Sequence, residues 1–224
     1  LQVPVKPEHL GSIAQENQPD IQHAFFAIPS DGHYAAEQQT YLMRKCLEKK
    51  PLESGQSLYF CSFSTRTMVY KGLLSSYQIG QFYPDLRDPE FKSRMAIFHE
   101  RFSTNTNPSW EMAQPFHGIA HNGEINTIRG NRLWMDARQR QLQSKFWGED
   151  FQTLRPIITP GFSDSASFDE VFSLLTQTGR DPNHAMMMMV PDPYSGFPQM
   201  DRALIDFYMY HENFMEPWDG PAAL

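Results

Sequence analysis

The sequence predicts an α+β fold built on antiparallel sheets, and three observations carry that expectation. Apolar and aromatic runs come in neighbouring pairs joined by tight turns: SLYFCSF (57–63) and TMVYKG (67–72) read as a hairpin. Helical periodicities are grouped between such pairs instead of alternating with single strands, which argues against a parallel sheet. No internal repeat, low-complexity linker or compositional break divides the 224 residues, a length suited to one domain with a sizeable core.

The opening VPVKPEHLGSIAQENQP reads as a loop and a short helix stopped by Pro19. QHAFFAI (22–28) suits a strand. SDGHYAAEQQTYLMRKCLEKK (30–50) reads as a helix capped near Ser30 or Asp31 and ended before Pro51. MAIFHERF (95–102) is a further strand, and GIAHNG (118–123) a short one running into a turn. Residues 125–146 are helical by the spacing of Leu133, Trp134, Ala137 and Leu142, despite Gly130. Phe168, Val171, Phe172 and Leu175 make the stripe of an amphipathic helix that Gly179 closes. AMMMMV (185–190) reads as a buried strand, a last helix covers 202–214, and PWDGPAAL begins another strand.

Composition narrows the class. Hydrophobic residues make up 40% and charged ones 20%, ordinary for a globular protein, and the net charge is −7 without a basic block. That excludes nucleic acid and anionic membranes as main partners. The apolar run 185–190 is far too short to span a bilayer, and no leader precedes it. Two cysteines make no disulfide framework, and the context reads as reducing. Both ends, Leu1 and Leu224, read as cuts through a larger protein.

Polar residues interrupt the run from Met95 to Asn126, and interruptions of this kind mark function. Gly123 after a strand exposes a backbone N–H, and Asn122 adds a side-chain amide; together they offer two donors to an oxyanion. Arg101 presents a fork for a carboxylate, and Asp164 an anion for an ammonium group. Such a set describes a site for an amino acid with a reactive side-chain carbonyl. Each residue also has a plainer reading: Asn-Gly as a hairpin turn, Asp164 with Ser167 and Glu170 as a helix-capping box, Arg101 as a solvated charge. His99, Glu100, His117 and His121 lack metal-ligand spacing, and IRGNR lacks that of a phosphate loop.

HERFSTNTNPSW, HNGEINTIRGNR, PGFSDSASFDE and EPWDGPA, in this order, resemble the glutaminase domain of glutamate synthases. STRTMVYKGLL and QFYPDLRDPEF extend the resemblance over most of the chain. Such domains are class II glutamine amidotransferases, a branch of the N-terminal-nucleophile hydrolases. The resemblance implies a four-layer αββα sandwich of two antiparallel sheets. It also implies that Arg101 binds the α-carboxylate of glutamine, that Asn122 and Gly123 form the oxyanion hole and that Asp164 binds the α-ammonium, with Thr104 and His121 shaping the pocket.

The family's nucleophile is an N-terminal cysteine whose own α-amine, with a pKa near 7.7–8.0, acts as base. Residue 1 is leucine, and LQVPVKPEHLG resembles a region well inside the family domain. Cys46 and Cys61 read as core cysteines, so the isolated piece is expected to be inactive. The implied parent passes ammonia to a separate site that aminates 2-oxoglutarate, using FMN and an iron–sulfur cluster. No cofactor or metal is expected within these residues. Expected partners are glutamine, the synthase domains of the same chain, and a small electron-donating subunit or ferredoxin. The alternatives are another class II amidotransferase, or a non-catalytic glutamine-binding module.

Overall fold

The computed structural model describes residues 1–29, 34–54, 58–100, 107–196, 199–220 and 222–223. They fall into two compact units, Leu1–His121 and Asn122–Leu224.

In the first unit, α1 (Ser12–Glu16), α2 (Ala36–Ser54) and α3 (Ser76–Phe82) are joined by long extended segments. The start of α3 is closed by Gln78, whose Oε1 accepts from the Ser75 N–H (2.9 Å) and hydroxyl (2.7 Å). The same side chain donates to His9 O (2.7 Å), tying α3 to the 3-10 turn Pro7–His9. Behind these lies a core of Val3, Ala14, Leu74, Phe82, Tyr83 and Trp110. Phe82 sits 5.6 Å from the Trp110 ring, and the indole N–H donates to Ala14 O.

The expected strands are not laddered here. The run 22–28 carries one antiparallel bridge, Gln2 to Gln22, and then leaves Phe25 71% exposed. The segments 58–63, 67–72 and 95–100 are extended without a ladder, and Phe98 is 87% exposed. Aromatic and β-branched alternation marks a chain suited to a pleated surface, but a strand exists only where a second one pairs with it. Among the described residues no such partner is present, so the two antiparallel sheets do not appear among them. The helix expected over 30–50 also differs: α2 continues through Pro51 to Ser54. It turns Tyr41, Arg44 and Lys45 inward, which leaves Cys46 exposed and not in the core as its spacing with Leu42 suggested.

The second unit holds α4 (Ile128–Gln141), α5 (Asp164–Gln177), α6 (Pro182–Met189) and α7 (Arg202–Glu212). It also holds a two-residue antiparallel ladder, β1 (Asn122–Gly123) with β2 (Ala222–Ala223), the strand start expected in PWDGPAAL. α5 packs on α6, and α6 on α7. Trp147, Leu154, Ile157, Phe168, Val171, Met189 and Trp218 are fully buried, with Phe168 edge-on to Trp218 at 5.5 Å.

The methionine run is helical, which corrects the strand expected there. Asp181 caps α6 by accepting from the Asn183 N–H (2.9 Å), Pro182 takes the first helical position, and methionine is a good helix former. In α4 the buried face is also not the expected one. Leu133 and Trp134 are more than half exposed, while Asn131 and Met135 point inward. On α6 and α7, His184 and His211 meet Nε2 to Nε2 at 2.8 Å.

Candidate functional site

α5 begins one residue earlier than the capping pattern at Asp164 suggests. Ser163 is the N-cap, its hydroxyl accepting from the Ala166 N–H (3.1 Å), and Asp164 is the first helical residue. Glu170 is not part of a capping box. It reaches back to Thr159, accepting from its N–H (2.7 Å) and hydroxyl (2.6 Å), and so holds the turn that leads into PGFSDSAS. Gly179 ends the helix as expected, with Gly179 N–H on Thr176 O and Arg180 N–H on Leu175 O.

α5 is buried from Asp164 to Leu174, polar residues included, so each polar group needs a partner. The Asp164 carboxylate accepts the Ile125 N–H at Oδ2 (3.0 Å), and the Ser165 N–H (2.7 Å) and hydroxyl (3.3 Å) at Oδ1. Ile125 lies two residues beyond Gly123, so this bond joins the HNGEIN segment to the start of α5 within one unit. Three donors on a carboxylate leave one of its roughly four lone-pair positions for a ligand. Gly123 has φ 146°, a backbone that residues with a side chain rarely adopt. Asn122 beside it is exposed.

The turn after β1 is held from the other end of the unit. Asn126 N–H donates to Asp219 O (2.8 Å), the Thr127 hydroxyl accepts from the Asp219 N–H (2.9 Å) and donates to Asn131 Oδ1 (2.7 Å), and Asn131 Nδ2 donates to Pro217 O (3.0 Å). This network explains why Asn131 is inside while Leu133 is out. A Cβ at Gly220 would collide with the Glu124 carbonyl, so the EPWDGPA segment approaches HNGEIN as only glycine allows. Arg132 of α4 completes the frame, bonding Ser167 Oγ and Phe162 O.

His121 closes the first unit and is 2% exposed. The Gln114 side chain takes both of its main-chain groups, donating to His121 O (2.8 Å) and accepting its N–H (2.7 Å), as a strand partner would. Arg101 and Thr104, expected at the site, lie outside the described residues. Of the expected residues, Asp164 bonds the Ile125 N–H, two residues beyond Gly123. Reading the sequence by residue type missed Gln114, Thr127, Asn131, Arg132 and Asp219. Three of these sit in INTIRGNR, whose density of polar residues on a helix start was the available signal.

The family described as "Glutamine amidotransferases class-II" matches residues 1–224. The chain belongs to this family. It is 42% identical over 99% of its length to the glutamate synthase [NADPH] large chain of Bacillus subtilis. It is 44% identical over 99% of its length to the chloroplastic ferredoxin-dependent glutamate synthase of Oryza sativa, and 41% over 100% to ferredoxin-dependent glutamate synthase 2 of Synechocystis. The chain spans 14–15% of the length of these curated relatives.

The two cysteines of this class II amidotransferase chain sit in different settings. Burial pushes the Cys61 thiol up from its usual value, against the nearby Lys71 charge, which disfavours the thiolate. Cys46 sits mid-helix in α2, where its backbone nitrogen is an amide and not a base. No helix among the described residues is long and apolar enough to cross a membrane.

Proposed function

We propose that this chain supplies the glutamine-binding and oxyanion-stabilising part of a glutaminase, within a glutamate synthase. The observation that carries the reading is the Ile125–Asp164 bond, which links HNGEIN to PGFSDSAS inside a chain of this family. In this reading Arg101 forks the α-carboxylate, Asp164 uses its remaining lone pair for the α-ammonium, and Asn122 and Gly123 face the developing oxyanion. Thr104 and His121 shape the pocket. The family's N-terminal cysteine attacks the carboxamide carbon, its α-amine taking the thiol proton and passing it to the leaving ammonia, and water then cleaves the thioester to release glutamate and restore the thiol.

Both units belong to one glutaminase domain. The family's sandwich of two antiparallel sheets is the arrangement that the extended segments 22–28, 58–63, 67–72 and 95–100 suit. The released ammonia goes to a 2-oxoglutarate-aminating site elsewhere in the parent. The FMN and iron–sulfur chemistry belongs there too, because two cysteines fall short of the four thiolates that usually hold a cluster. The electron donor is ferredoxin or a reductant delivered by a small subunit.

The test is release of glutamate from glutamine by the complete protein, with 2-oxoglutarate and reductant present, beside a Cys46→Ser, Cys61→Ser double variant. Equal activity in both is expected. No hydrolysis by the wild type would overturn the reading, and activity lost only in the double variant would show that an internal cysteine is the nucleophile.

A further inference from the structure

Arg132 occupies an electrostatically awkward place. The N-terminus of α5 carries the positive end of a helix dipole and favours anions, yet a guanidinium is held against it. Stabilising that helix end does not explain a cation there; its hydrogen bonds do.

The guanidinium reaches two points. Nε and Nη2 donate to Ser167 Oγ (3.1 and 3.0 Å), and Nη2 also donates to Phe162 O (2.5 Å). Ser167 is fully buried, and its hydroxyl donates onward to Ser163 O (2.8 Å), where the Ser167 N–H also bonds (2.9 Å). With its one proton given and both lone pairs taken by Arg132, this hydroxyl has no freedom to rotate. The carbonyls of both residues before Asp164 are therefore held, Phe162 O directly and Ser163 O through Ser167. From the other side, Ile125, seven residues before Arg132 in the same segment, holds the Asp164 carboxylate. One stretch of chain thus grips Asp164 front and back.

We propose that Arg132 is a positioning residue for the ammonium-binding carboxylate, aiming the free lone pair of Asp164 by clamping the Phe162–Ser163 backbone through Ser167. This rests on the reading of Asp164 as the ammonium binder. Lysine at 132 keeps the charge and reach but cannot bond Phe162 O and Ser167 Oγ with one planar fork. Its loss therefore acts on aim, and is felt by ligands that carry an α-ammonium.

The test uses the complete protein and two ligands: glutamine, and 4-carbamoylbutanoate, which lacks only the α-ammonium. The KM for glutamine and the Ki of the analogue as a competitive inhibitor are measured for wild type, Asp164→Asn, Arg132→Lys and Arg132→Gln. In Arg132→Lys the KM should rise roughly tenfold, the scale of a weakened hydrogen bond to a charge. The Ki should stay within about twofold, and kcat should change little. A parallel rise of KM and Ki in the Arg132 variants would mean general loss of structure and overturn the proposal. If Asp164→Asn raises KM selectively and the Arg132 variants do not, the proposal fails while the reading of Asp164 stands. If Asp164→Asn leaves the KM-to-Ki ratio unchanged, or the wild type hydrolyses no glutamine, the reading of Asp164 fails and takes the proposal with it.

Discussion

The Ile125 backbone N–H donates to Asp164 Oδ2 across 39 residues of sequence, over 3.0 Å, in a buried setting. One carboxylate thereby ends the turn after Gly123 and begins α5. Asp164→Ala would leave the Ile125 N–H buried without its acceptor, a cost of about 1–3 kcal/mol. The denaturant midpoint of the complete protein should fall accordingly. An unchanged midpoint would show that water or a neighbouring acceptor replaces the carboxylate at no cost.

On the proposed function, turnover should depend on Asn122 and glutamine binding on Arg101. Asn122→Ala is expected to lower kcat about 10²–10³-fold with little change in KM, because one preorganised donor to the oxyanion is lost. Arg101→Lys should reduce kcat/KM by about 2–4 kcal/mol of transition-state stabilisation, since an ammonium cannot reproduce a bidentate contact. If Asn122→Ala altered only KM, the residue would be a ground-state contact.

Two glycines should respond in opposite directions to alanine. At Gly220 a Cβ meets the Glu124 carbonyl, backbone that cannot swing away, so Gly220→Ala should destabilise by about 1–3 kcal/mol. Gly130 lies within α4 with open space around its would-be Cβ, and Gly130→Ala should stabilise by about 0.5–1 kcal/mol. Thermal unfolding of both variants checks the pair; an unchanged or raised midpoint in Gly220→Ala would contradict the close approach of EPWDGPA to HNGEIN.

Stability should fall on mild acidification through the histidine pair. His184 and His211 face each other Nε2 to Nε2 at 2.8 Å, His211 Nδ1 lies 2.8 Å from Phe207 O, and Arg180 Nη1 lies 3.4 Å from the same His184 nitrogen. Partial burial, the Arg180 charge and His211 push His184 below the usual imidazole value, with Asp181 opposing. Below about pH 6.5 the unfolded chain therefore binds more protons at this position, and stability present above that pH is lost as pH falls through the lowered folded value. His184→Asn should flatten the unfolding midpoint between about pH 7 and about pH 5. An equally steep fall in that variant would place the titration elsewhere.

How much of this was open to residue-level reading differs by element. The α5 helix and its end at Gly179 were legible, because the apolar stripe and the C-terminal glycine are local signals. The Asp181-Pro182 start of α6 was equally local, but a run of methionines read as buried strand concealed it. The extended segments carried strand chemistry throughout, and among the described residues only Gln2–Gln22 and Asn122–Gly123 found pairing. Of the candidate site, Asn122, Gly123 and Asp164 were singled out from residue type and motif. Arg132 and Gln114 were not, since their roles depend on which carbonyls come within reach.

By itself the sequence determined the family, the helix stripe of α5, its glycine terminus and the residue types of the candidate site. Those follow from local propensity and from the chemistry a substrate demands of particular side chains. Only the tertiary structure decided which face of α4 turned inward, why Gly220 must lack a side chain, and that Asp164 answers to Ile125 and is framed by Arg132. Each of these rests on hydrogen-bonding groups that are far apart in sequence and interchangeable in type. Their pairing is settled when buried polar groups must each find a partner, and that is a property of the packed chain.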